Sequence, residues 1–98
     1  MRPQRARIIV LPASMPVLKS HARLQFDPVR GAWALLSPEK VFWPDEVSLD
    51  ILKLCDGTRP VAAIIRLLAE QYDAPEEDIG ADVETFLQEW ADRFLVAL

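Results

Sequence analysis

The spacing of hydrophobic positions changes character along the chain. From Arg23 to Asp27 it alternates, with Leu24 and Phe26 on one side and Arg23, Gln25 and Asp27 on the other, the period of a half-buried strand. Pro28-Val29-Arg30-Gly31 supplies turn chemistry, and Ala32 to Leu36 follows with Trp33 and Leu35 on one face, so the two runs predict a hairpin. Ser37-Pro38-Glu39-Lys40 makes another short turn before Val41-Phe42-Trp43, a third strand that Pro44 ends. If both hairpins form, the second strand lies in the middle and the third at an edge.

Beyond Pro44 the period becomes helical. Val47, Ile51, Leu54 and Cys55 fall at i, i+4, i+7 and i+8, and Val61, Ile64, Ile65 and Leu68 at i, i+3, i+4 and i+7. A first helix from Asp45, a suitable cap, to about Asp56 and a second from Pro60 to Tyr72 then meet at a helix-turn-helix corner, with a left-handed Gly57 closing the first. Pro75 opens a third helix whose first turn holds Glu76, Glu77 and Asp78, where the helix dipole favours anions. Ile79, Val83, Phe86, Leu87, Trp90 and Phe94 form one apolar stripe along it. The predicted class is α+β, winged helix-turn-helix-like: a three-stranded antiparallel sheet followed by a three-helix bundle.

Residues 1–17 contain Pro3, Pro12 and Pro16 and no amphipathic period, which reads as an extended N-terminal arm before a domain at 18–98. Its run Ile8 to Leu11 is costly to leave in water, so it is expected to pair with a sheet edge, in this chain or in a second copy as a homodimer. Arg2, Arg5 and Arg7 before that run imitate a signal peptide, but Pro12 stops it too soon. The expectation is a cytoplasmic protein with no membrane span.

At 98 residues, 51% of them hydrophobic and 27% charged, the chain fits one domain. Its charge is uneven: residues 1–44 carry a net +5 and residues 45–98 a net −9, and the acidic half reads first as a solvated helical surface. Cys55 is the only thiol, on an apolar helical face, and His21 the only histidine, so neither metal binding nor thiol catalysis has a ligand or partner at useful spacing. Three glycines form no phosphate loop. Asp78, Asp82 and Glu89 on the third helix suit solubility better than acid-base chemistry. The reading is a non-catalytic protein without metal or cofactor.

Arg23-Leu24-Gln25, Leu35-Leu36-Ser37-Pro38-Glu39, Ile51-Leu52, Leu54-Cys55-Asp56-Gly57-Thr58-Arg59, Tyr72, Asp82-Val83 and Phe86-Leu87, in that order, resemble the PqqD family of pyrroloquinoline quinone (PQQ) biosynthesis over about residues 18–98. The resemblance implies a RiPP recognition element, a small peptide chaperone that binds the ribosomally made precursor PqqA and presents it to the radical S-adenosylmethionine enzyme PqqE. It implies β-augmentation, the peptide adding to the third strand with its side chains in the groove toward the third helix. The positions are Val41, Phe42 and Trp43 on the strand and Val83, Phe86, Leu87 and Trp90 opposite. Ordinary core is the plainer role for these apolar residues, Phe86 and Leu87 above all. Two positions depart from the family pattern: Phe94 stands where a glycine is common, and Pro60 where Ser or Thr is common. The alternatives are a winged-helix DNA-binding protein, which eight acidic residues against Arg93 alone from Asp73 onward disfavour, and a non-catalytic protein-protein adaptor.

Overall fold

A computed structural model of the chain describes residues 8–98. The arm's Arg2, Pro3, Arg5 and Arg7 lie outside the described residues. The order of elements is β1 (Val17–Leu18), β2 (Arg23–Asp27), β3 (Ala32–Leu36), β4 (Val41–Phe42), α1 (Glu46–Lys53), α2 (Val61–Gln71), α3 (Glu76–Asp92) and β5 (Val96–Ala97). Strands β2, β3 and β4 form the expected antiparallel sheet with β3 central. Asp27 Oδ1 accepts hydrogen bonds from the amides of Val29 and Arg30 at 2.9 and 3.2 Å, and Gly31 takes φ +62°, so local side-chain chemistry closes the first hairpin.

The register pairs Leu24 with Leu35, Phe26 with Trp33, and Leu35 with Phe42, which puts these five side chains on one face. That face meets the helices. Leu35, Ile51, Leu52, Val61, Ile64, Leu68, Val83, Leu87 and Val96 are all almost wholly buried in one core. Burying each of these aliphatic side chains stabilises the fold by about 1.5–3 kcal/mol before chain entropy is subtracted.

The helix ends differ from the sequence reading in instructive ways. Helix α1 starts as expected, with Asp45 Oδ1 accepting from the Ser48 amide at 2.8 Å. It stops earlier, in a tightened turn: the amides of Leu54 and Cys55 reach back to the carbonyls of Ile51 and Leu52, each at 3.1 Å. Gly57 therefore does not close it. Its φ of +81° instead presents its amide to the Pro16 carbonyl at 3.0 Å, and an added Cβ would stand 3.4 Å from Val17 Cβ. Helix α2 has Pro60 at its cap and no side-chain cap. The carbonyls of Ser14 and Pro12 take the amides of Val61 and Ala62 instead, at 2.8 and 3.0 Å.

The arm expected to end at Val17 is thus bound to the domain from Ile8 onward. Pro16 is fully buried and Val17–Leu18 pairs antiparallel with Val96–Ala97, a two-stranded sheet whose strands are too short to carry a readable period. Ile8 to Leu11 pairs with no sheet edge among the described residues. The Val10 amide donates to Gln88 Oε1 at 3.0 Å and Gln88 Nε2 donates to the Ile8 carbonyl at 2.9 Å, so a helix side chain occupies those backbone groups. Among the described residues no helix is long and apolar enough to cross a membrane.

Candidate functional site

Strand β4 is the free edge nearest α3. In its ladder the Ser37 amide donates to the Lys40 carbonyl at 3.1 Å, so strict alternation turns the backbone groups of Phe42 inward to Leu35 and those of Val41 outward. The outward pair is available to a further strand. Side chains alternate the other way: Phe42 faces the helices, and Val41, 47% exposed, faces away from them.

Across from the edge, Phe42 meets Trp90 edge-on at 5.1 Å between ring centroids, and Phe86 packs on the same indole at 5.2 Å. Trp90 is buried, while Phe42 and Phe86 are half-buried. The three rings make a shelf beside the free edge, an apolar surface with room for alternate side chains of an added strand.

The predicted residues fall into three groups. Phe42, Phe86 and Trp90 come together as that shelf. Val83 and Leu87 lie beneath it, wholly buried in the core, and shape the groove only from behind. Val41 and Trp43 are on the opposite side of the sheet, where Trp43 lies beyond the end of β4 and the Arg30 guanidinium covers its ring at 4.6 Å. With Gln25, Ala34 and Leu36 they line a shallow hollow of about 270 Å³. The parity of a two-residue strand before a proline separates Trp43 from Phe42, whose side chain points the other way.

Sequence reasoning missed the cations around the shelf. Lys40 Nζ and the Arg93 guanidinium lie 5.1 and 5.7 Å from the Phe42 ring centroid, and Lys19 Nζ lies 5.4 Å from that of Phe94. Lys40, Phe42, Arg93 and Phe94 line, with His21, a cleft of about 500 Å³ between the β3–β4 turn and the end of α3. The only signal was Phe94 itself, which departs from the family glycine. Phe94 does adopt the left-handed conformation, at φ +62°. Its amide bonds the Ala91 carbonyl and the Leu95 amide bonds the Trp90 carbonyl, each at 3.0 Å, the paired bonds of a Schellman closure.

The titratable groups give no sign of a reactive centre. Burial, with Asp56 adding to it, pushes the Cys55 thiol up to about 12, so it holds its proton, and its Sγ–H donates to the Ile51 carbonyl at 3.2 Å. The hydrogen bond that Tyr72 donates to Asp50 raises its hydroxyl to about 12 and ties α2 to α1. Among the described residues no group of His, Cys, Asp and Glu side chains is arranged to hold a metal ion.

The chain and its fold have known relatives. Residues 32–96 match the family model described as coenzyme PQQ synthesis protein D (PqqD). A protein of Rhodopseudomonas palustris (strain TIE-1) described as a PqqA binding protein is 53% identical over 87 residues, 89% of this chain and 85% of its own. The solution structure of the PqqD part of Methylobacterium extorquens PqqCD, described as a functional and stand-alone RiPP recognition element, superposes with a TM-score of 0.76. It is 34% identical and is covered over 95% of its length by 91% of this chain. PqqD of Xanthomonas campestris, also 34% identical, superposes with a TM-score of 0.58 over 91% of this chain and 99% of its own. A family match that runs from β3 through all three helices to β5, joined to relatives of nearly the same length, means that the chain belongs to the PqqD family.

Proposed function

We propose that this chain is a non-catalytic accessory protein of PQQ biosynthesis that binds the precursor peptide PqqA and presents it to the radical S-adenosylmethionine enzyme PqqE. The observation that carries the reading is the free edge of β4 beside the Phe42–Trp90–Phe86 shelf. An extended peptide adding there satisfies the outward backbone groups of Val41 and lays every second side chain on the rings. The description of the Rhodopseudomonas palustris relative as a PqqA binding protein supports the choice of peptide.

The winged-helix DNA reading is weaker. The candidate recognition helix α3 carries seven carboxylates, from Glu76 to Asp92, and no Lys or Arg, the reverse of a phosphate-binding face. Calorimetric titration with PqqA and with duplex DNA separates the classes: saturable binding of the peptide alone supports the proposal, whereas salt-sensitive binding of DNA alone overturns it. Self-association belongs to the same reading, since Ile8 and Leu11 are 66% and 58% exposed. A monomeric mass at all concentrations removes that part.

A further inference from the structure

We infer that the cleft between the β3–β4 turn and the end of α3 receives a carboxylate-bearing side chain of the bound peptide. The inference rests on the peptide-binding reading above and adds a charge preference at one end of the groove.

The charge argument is local. In a chain of net charge −4, His21, Lys40 and Arg93 converge on one cleft of about 500 Å³, and Lys19 stands at its margin over the Phe94 ring. Lys40 and Lys19 make no ion pair among the described residues. Two acidic groups are close. Glu39 lines the same cleft, and Glu89 holds Arg93 at 2.8 Å, but that pair is about half exposed on both sides and open to exchange. The cleft is continuous with the proposed strand site through Phe42, which lines both, so a peptide running along β4 passes directly into it.

The second observation is conformational. A bulky side chain at positive φ is strained, and glycine avoids that strain. Phe94 nevertheless holds φ +62° with its ring 59% exposed on the cleft wall, where it gains little from burial. Strain kept in an exposed aromatic beside a cationic cleft is accounted for if the ring and Lys19 contact a ligand. Cations held over aromatic faces give a carboxylate charge-assisted contacts of the kind that fix register and discriminate partners.

The test uses the full chain and the PqqA peptide of the same genome, in native form and with every Asp and Glu changed to Asn and Gln. The amide form is expected to bind at least tenfold more weakly. A Lys40→Glu, Arg93→Glu double variant should weaken the native peptide by a similar factor, with a flatter salt dependence. Phe94→Gly should weaken binding several-fold while its melting temperature rises. Equal binding of the two peptide forms overturns the inference and leaves the strand site standing, and because that comparison changes only the peptide it holds even if the double variant misfolds. Wild-type affinity in Phe94→Gly overturns the role of the ring. Failure of the unaltered chain to bind native PqqA removes both the inference and the reading beneath it.

Discussion

At the residue scale, positions with left-handed backbone are the most informative. Phe94 and Asp73 both close helices at positive φ, +62° and +49°, through the same paired backbone bonds. Aspartate tolerates this region better than a bulky aromatic. Phe94→Gly is therefore expected to stabilise the fold by about 1 kcal/mol, a rise of roughly 4–8 °C in Tm, and Asp73→Gly by less. Gly57→Ala should act in the other direction, costing roughly 1–2 kcal/mol, since its φ of +81° disfavours any side chain even though the new methyl would make only an ordinary contact with Val17. Thermal melts of the three variants check the order. Cys55 and Tyr72 make a further prediction for alkaline pH. Both groups hold their protons to about 12 in the fold but release them nearer 9 and 10 when unfolded, so unfolding releases protons there. Their contribution is intact below about pH 9 and is lost as pH rises toward 12. Denaturant midpoints should fall over that window, and Tyr72→Phe should flatten the part of the decline above pH 10.

At the element scale, the described part of the N-terminal segment replaces something α2 lacks. Pro60 offers no side-chain cap, and the Ser14 and Pro12 carbonyls take the first amides of the helix, while Pro16 accepts from Gly57. Deleting residues 1–17 removes three such bonds, each worth about 1 kcal/mol net, besides the buried Pro16 and the β1–β5 pairing. We expect a loss of at least about 3 kcal/mol by chemical denaturation; an unchanged midpoint would show that the segment is a passive arm. This dependence was not legible in the sequence because carbonyl capping by a distant segment leaves no residue-type signature. The strands and helices with strong periods were legible: Leu24, Leu35 and the α3 stripe from Ile79 to Trp90 lie where alternation and helical spacing place them. The α1 stop was misread because Gly57 is shaped by its tertiary contact with Pro16 and Val17 rather than by the helix before it.

At the scale of the whole molecule, the uneven charge becomes a division of surfaces, with a carboxylate-rich α3 on one side and a cationic cleft where its end meets the β3–β4 turn. The candidate site was legible in part. Phe42, Phe86 and Trp90 follow from the strand edge and the helical stripe, whereas Lys40 and Arg93 over Phe42, and Lys19 over the neighbouring Phe94, come from three separate stretches that only the fold brings together. The ladder also decides which edge substitution is informative. Phe42→Pro removes a donor that faces Leu35 and is expected to disturb the sheet, while Val41→Pro removes the outward donor and should keep a cooperative melt while weakening PqqA by at least tenfold. The central claim is that PqqA adds as a strand along β4, and amide hydrogen exchange at Val41, followed by NMR in the free and peptide-saturated protein, tests it most directly. The account predicts that the Val41 amide exchanges at least tenfold more slowly when PqqA is bound, with the Phe42 amide already protected in the free protein; saturation with peptide that leaves Val41 exchange unchanged contradicts it.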